Sequence, residues 1–372
     1  MQRVAPGFDP RGVLTSRLLL PAARYSTPEV IAQTYRAIRD AAARIPGVKS
    51  AALVSIVPLS TSNMNSSVRA EEQPAGLRPG DANMRQVSTG YFATMGIPLL
   101  AGRDVDDHDV RESPHVVVIN EALAKLLWPG MNPRETLGKR MEAMGDRDHD
   151  YREVVGVVAD IHTKSLSKPG SPEFYIPVEQ TPDALWPLMQ RSLVVVLRTV
   201  SPTMSPESLV EPLRKAVASV DASLPLADKT TIESYVHDSL QTARMSTILL
   251  STLGGIALAL AMIGIYGVVS YFVSQRTREI GLRVALGATP RAVWSFVVNR
   301  GLRPIVAGLV LGILLSLATT NVLREQLYGV TPRDPFTLAV VGLLLLLIAL
   351  VAMYVPARRA MRVAPLVALN EG

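Results

Sequence analysis

Three long runs of uncharged, mostly apolar positions occupy the last third of the chain: Met245 to Gln275, Pro304 to Leu323 and Pro335 to Ala357. Each reaches the ~20 residues that an α-helix needs to cross ~30 Å of hydrocarbon. The last contains Leu343-Leu-Leu-Leu-Leu-Ile-Ala-Leu350. The pattern predicts three transmembrane helices, at about 245–273, 304–323 and 335–357. Before Arg244 the pattern is that of a folded domain. Gly12 to Leu20 alternates toward a strand, Thr27 to Arg44 reads as an amphipathic helix with Pro28 at its first position, and Lys49 to Val57 reads as a strand. The same succession returns later. Ser192 to Val200 reads as a strand, Ser205 to Val220 as a helix opening on Ser-Pro, and Pro225 to Ile232 as an extended segment. Between these flanks, about 80–185, turn residues are frequent and helical periods few.

Charge orients the picture. The formal net charge is +6, yet residues 1–244 are close to neutral while 245–372 hold eleven arginines, no lysine and four acidic residues. The basicity lies in the membrane part, which argues against nucleic acid as a partner. The segment 276–303 carries Arg276, Arg278, Arg283, Arg291, Arg300 and Arg303 against Glu279, and the tail carries Arg358, Arg359 and Arg362 against Glu371. Between the second and third runs, Arg324 and Arg333 balance Glu325 and Asp334. Positive loops face the cytoplasm, so 276–303 and the tail are expected inside and residues 1–244 outside. The expected fold class is therefore an α+β extracytoplasmic domain (1–244, two β-α-β units with a β-rich insertion at about 80–185). Three transmembrane α-helices follow it in 245–372.

The arginine segment has internal punctuation. No proline interrupts the chain from Met245 to Pro290, so the first span is expected to continue as a helix through Leu286, ~60 Å at 1.5 Å per residue. Gly287 suits a C-cap, and Thr289-Pro290 reads as an N-cap followed by proline at the first helical position. Stalk, turn and short helix together make a lever; the competing reading is a basic turn that only sets topology. Gly308 and Gly312 form a small-xxx-small pair suited to close helix packing. No ionisable residue lies mid-span, which argues against an ion-coupled transporter.

Chemistry is scarce. The chain has no cysteine, hence no disulfide framework, zinc-finger spacing or thiol chemistry. Asp104, Asp106, Asp107, His108 and Asp109 form one acidic cluster and Asp146, Asp148, His149 and Asp150 another. Neither has the spacing of a calcium loop, and solvated turns are the expected reading. His115, His162 and His237 stand alone. Gly130 to Lys139 lacks the spacing of a phosphate-binding loop, and Arg140 follows where Ser or Thr is required. No catalytic residue, metal site or cofactor is expected, and the chain is not expected to be an enzyme.

Arg278-Glu-Ile-Gly-Leu-Arg-Val-Ala-Leu-Gly-Ala288 and Tyr354-Val-Pro-Ala-Arg-Arg-Ala360 resemble the FtsX/MacB family of ABC-type permeases. So do Ile265-Tyr-Gly-Val268, Leu327-Tyr-Gly-Val-Thr-Pro-Arg-Asp-Pro335 and Pro365-Leu-Val-Ala-Leu369. Upstream, Asn120-Glu-Ala-Leu-Ala, Trp128-Pro-Gly, Leu137-Gly-Lys-Arg and Val154-Val-Gly-Val-Val-Ala-Asp160 are similar to the family's extracytoplasmic core domain. The resemblance implies a permease subunit of the bacterial inner membrane, paired as a homodimer or with another permease half. A separate cytoplasmic ABC ATPase would drive it, as an exporter or by mechanotransmission. It also implies that Arg278, Glu279, Gly281, Arg283, Gly287, Ala288, Thr289, Pro290 and Arg291 couple the chain to that ATPase. The family has four spans against three here. Gly7-Phe-Asp-Pro-Arg11 resembles the stretch after a membrane helix in long duplicated permeases, so the chain is expected to be the second half of such a protein or to lack a first span. The alternatives are a non-transporting transducer that regulates an envelope enzyme and a membrane-anchored binding module.

Overall fold

The computed structural model describes residues 6–74, 80–143, 151–166, 170–276 and scattered positions from 279 to 354, among them 305–315 and 345–351. The chain divides into two compact units between Thr242 and Ala243.

The N-terminal unit is built on the two flanks that periodicity marks. β1 (Val13–Leu18), α1 (Pro28–Ala43) and β2 (Val48–Val54) form the first; β10 (Val194–Thr199), α5 (Val210–Val220) and β11 (Leu226–Thr231) form the second. Their strands interleave in the order β11-β1-β10-β2, with β10 antiparallel to both β1 and β2. Each β-α-β unit is thus split by a strand of the other. Thr27 caps α1 by accepting from the Val30 N–H, Pro28 opens it, and Ile31, Tyr35, Ile38 and Ala42 form its buried stripe. Alternation along β10 sends Val195 and Leu197 toward α1 and α5, and Val194 and Val196 to the opposite core.

The intervening chain supplies β3 (Asn65–Ala70), β4 (Gly80–Val87), α2 (Tyr91–Met95), β5 (Leu99–Gly102), β6 (Val116–Asn120), α3 (Glu121–Leu127), β7 (Arg140–Ala143), β8 (Arg152–Val158), β9 (Glu173–Pro177) and α4 (Trp186–Ser192). The ladder runs β4-β3-β7-β8-β6-β9, and β9 pairs back onto β4 in parallel, closing a six-strand ring. β5 extends it beside β8. The ring begins with β3 at Asn65, ahead of the position near 80 where the insertion is expected to start. Phe174, Ile176, Val117, Ile119 and Met141 fill its interior, with Leu123 and Leu127 of α3.

Ring and flanking sheet touch by one ladder position, Val54 opposite Val87. What joins them is a hydrophobic core. It takes Val54 and Val196 from the sheet, Val118, Val158 and Tyr175 from the ring, Tyr91, Phe92 and Met95 from α2, and Phe8 and Ile232 from outside both. At the far edge, β11 has Asp228 in the left-handed region (φ 45°), a register shift against β1, and exposed Lys229. A bulged, charged edge of this kind resists pairing with other chains.

α6 (Ile232–Gln275) follows β11 without a loop and is 44 residues long, about 66 Å. It starts thirteen residues before the expected first span. Thr231 caps it, its hydroxyl accepting from the Ser234 N–H at 3.2 Å, while Ile232 is fully buried. The expected helix through Leu286 is interrupted: α6 ends at Gln275, and Arg276 lies in a turn. The polar residues at that end bond locally, Ser274 Oγ to the Tyr271 carbonyl and Gln275 Nε2 to the Tyr271 hydroxyl, the competition that ends helices.

Among the described residues one helix is long and apolar enough to cross a membrane, at Ile248–Val268 with mean hydropathy 2.3. A shorter apolar helix, Ile305–Leu315, lies in the second uncharged run. The third run is helical at 345–351.

Candidate functional site

Buried or paired charge in the N-terminal unit includes the joint between ring and sheet and the acidic loop after β5. The joint holds Arg85 of β4 and Glu173 of β9, 3 % and 1 % exposed, with Nε and Oε1 3.1 Å apart. Arg85 donates to the Met84 carbonyl at 3.0 Å and to Asn63 Oδ1 at 3.1 Å, and the Tyr175 hydroxyl donates to Glu173 Oε2 at 2.8 Å. Burial pushes the Glu173 carboxyl up, opposed by the Arg85 charge and the Tyr175 bond. Phe92 meets Tyr175 edge-on at 4.9 Å and completes the seal.

The acidic loop is cross-tied, where solvated turns are expected. Asp107 accepts from Arg39 of α1 and from Thr89, both at 2.8 Å. Asp109, 6 % exposed, takes two 2.8 Å bonds from Arg103. Asp106 accepts the His108 N–H and Asp104 the Val105 N–H, both at 2.6 Å. Arg36, one turn before Arg39, pairs with Glu179 after β9. Asp107 and Glu179 therefore fasten the ring to α1, while Asp104, Asp106 and Asp109 brace the loop itself. No group of three metal-ligating side chains occurs among the described residues. The cluster Asp146, Asp148, His149 and Asp150 lies outside them. The cleft beneath Arg36 and Arg39 offers about 30 Å³, the scale of a water molecule or two.

Asp104 makes this loop respond to pH. Burial pushes its pKa up to about 6, against the downward pull of the Val105 and Gly90 N–H groups and of Arg103. A carboxyl raised above its unfolded value of about 3.9 binds its proton more tightly when folded. Its contribution to stability therefore rises as pH falls from 7 through 6 toward 4. Asp104→Asn removes this partly buried charge. It is expected to stabilise the full chain in detergent by about 1–2 kcal/mol at pH 7.5, the gain vanishing near pH 4. Urea unfolding across that range measures it; a gain independent of pH contradicts the assignment.

In the C-terminal unit, Glu279 is helical and pairs with Arg276 at 2.8 Å. Leu286 is a turn residue, and Ala288 and Thr289 are non-helical. The Thr289 hydroxyl accepts from the Ala292 N–H at 3.4 Å, an N-cap contact, with helix at Ala292 and Ser295. Arg278, Gly281, Arg283, Gly287, Pro290 and Arg291 lie outside the described residues. Gly308 and Gly312 sit in helix, and a Cβ at either position would meet no described atom within 4 Å. His162 contacts the Ser165 carbonyl at 3.3 Å and His237 contacts Gln241 at 3.4 Å.

Residues 4–216 match the MacB-like periplasmic core domain, and residues 251–365 match the FtsX-like permease C-terminal domain. The probable syringafactin export ATP-binding/permease protein SyfD of Pseudomonas syringae pv. tomato is 30% identical over 293 residues, 78% of this chain and 42% of that protein. The macrolide export ATP-binding/permease protein MacB of Mannheimia succiniciproducens is 25% identical over 295 residues, 77% of this chain and 43% of its own length. The chain thus spans less than half the length of these relatives. Among solved structures, the periplasmic region of MacB from Actinobacillus actinomycetemcomitans aligns with TM-score 0.38 at 17% identity, covering 65% of this chain and 97% of that one. With one family model matching more than half of the chain and a second matching most of the remainder, the chain belongs to the FtsX-like ABC transporter permeases that carry a MacB-like periplasmic core domain.

Proposed function

We propose that the chain is the moving permease part of an ABC-type export or mechanotransmission complex, driven by ATP hydrolysis in a cytoplasmic ABC ATPase. The observation that carries the reading is α6. One helix leaves the sheet at β11 and continues through the apolar stretch Ile248–Val268. A continuous hydrogen-bonded helix transmits displacement along its axis better than a loop does. The arginine segment 276–303 lies on the cytoplasmic side in this reading, by the positive-inside rule, and the N-terminal unit on the other. The three uncharged runs are its three spans.

Two relatives named as export ATP-binding/permease proteins support the pairing with an ATPase. The residues assigned to coupling are Arg278, Glu279, Gly281, Arg283, Gly287, Ala288, Thr289, Pro290 and Arg291, with Gly308 and Gly312 as a packing face for a second permease half. The test is ATP hydrolysis by a cognate ABC ATPase reconstituted in proteoliposomes with and without the chain. Hydrolysis should rise several-fold when the chain is present. A rate indifferent to the chain contradicts the reading.

A further inference from the structure

The core between ring and sheet also holds Phe8 and the first turns of α6, which lie outside both. The segment 6–12 reaches that core through contacts at both of its ends. At one, the His162 N–H donates to the Pro6 carbonyl at 2.9 Å. Gly7 (φ 84°) lies so close to the chain after β8 that a Cβ there would sit 2.5 Å from the Asp160 carbonyl oxygen. At the other end, the Thr199 N–H of β10 donates to the Gly12 carbonyl at 2.9 Å. Between them Phe8 is 6 % exposed, and the Asp9 N–H donates to the Met95 carbonyl of α2 at 2.9 Å.

Arg198 of β10 holds the middle of this segment. Its Nε donates to the Thr94 carbonyl at 2.6 Å, Nη1 to the Arg11 carbonyl at 3.0 Å and Nη2 to the Asp9 carbonyl at 2.8 Å. The Asp9 carboxylate lies 3.5 Å away. The guanidinium is the one side chain whose rigid fork can serve three carbonyls from two segments together. On the α6 side, Ile232 is fully buried in the same core, and Tyr235 and Val236 pack against it. Glu233 acts electrostatically on Arg11 of the segment.

β11 by itself is a weak anchor for α6. It is the edge strand, its ladder to β1 is broken by a register shift, and Asp228 holds a left-handed conformation there. A pull along α6 borne by β11 alone would peel an edge strand away. We propose that Arg198 is the positioning residue of a clamp that ties segment 6–12 and the first turns of α6 into one core. Movement of α6 then reaches ring and sheet together and carries the N-terminal unit as a rigid body. The inference rests on the permease reading only for the source of that movement.

Hydrogen exchange on the full chain in lipid nanodiscs tests it without any ATPase, so its failure is separable from failure of the permease reading. Arg198→Gln should raise exchange at least tenfold both within 9–12, at the Asp9 amide bonded to the Met95 carbonyl, and within 233–236, at Tyr235 and Val236, the first α6 amides with intrahelical acceptors. Arg198→Lys, which keeps the charge but not the fork, should give a smaller rise at both. A rise confined to 9–12, or no rise at either, overturns the clamp. The amides of Val117–Ile119 and Val154–Val157 report global unfolding. If they rise too, Phe8→Leu replaces Arg198→Gln and is read by the same criterion.

Discussion

Arg85→Met is expected to destabilise the N-terminal unit by about 3–5 kcal/mol, and Arg85→Met/Glu173→Leu to recover most of that loss. The single substitution leaves the Glu173 carboxylate 1 % exposed, with one hydrogen bond from Tyr175 and without its ion-pair partner. An uncompensated buried charge costs far more than the ion pair contributes, because the desolvation of both groups already offsets most of their attraction. The double variant removes the orphan as well as its partner. A sign accompanies the magnitude. Burial already raises the Glu173 carboxyl, and loss of Arg85 raises it further, so the deficit of Arg85→Met should shrink as pH falls from 8 toward 5. Chemical unfolding of the full chain and both variants, at three pH values, measures all of this. Equal losses in the single and double variants contradict the account of the joint.

The second large effect is expected in the segment proposed to couple the chain to its ATPase. Glu279→Lys sets a cation beside Arg276, now 2.8 Å from the carboxylate, and reverses the only negative charge among six arginines. With the cognate ATPase, the increment of ATP hydrolysis that the chain elicits should fall at least tenfold, a loss of about 1.4 kcal/mol or more. Thr289→Ala removes the N-cap over Ala292 and should give a milder, two- to fivefold loss, since a cap is worth about 1 kcal/mol. The complex should still assemble in both cases. Full hydrolysis in the Glu279→Lys complex would remove the segment from the coupling path.

The two β-α-β flanks were legible because their faces differ. Each strand alternates and each helix shows a stripe, so burial imposes a period that the residues display. The ring was legible only as a β-rich region. Its closure depends on β4 and β9 pairing in parallel, and nothing local in either strand records a partner some ninety positions away. The Arg85–Glu173 pair was hidden for a related reason. In Asn83-Met84-Arg85-Gln86 the polar positions suggest a solvent face, yet all four residues are buried, because the ring fills one side of β4 and the joint covers the other. Arg198 was hidden in the same way, as a polar residue near the end of an apolar strand.

The first span was placed by its charge-free run, which marks the hydrocarbon and not the helix. The start of α6 at Ile232 is set by the Thr231 cap and by packing of Tyr235 and Val236. The absence of glycine and proline from Leu226 to Leu253 was the available signal. In the C-terminal unit, Thr289 carries the cap contact that the Thr-Pro pair suggests, whereas Arg276 turns where an unbroken stalk was expected.

In the proposed topology α6 joins two regions on opposite sides of a membrane. A chain without cysteine allows the most direct measurement, single-cysteine labelling in intact cells. Val200→Cys, at a position 59 % exposed in the N-terminal unit, should react with a membrane-impermeant maleimide before lysis. Thr289→Cys should react only after the membrane is opened. The reverse order, or labelling of both positions only after lysis, contradicts the account.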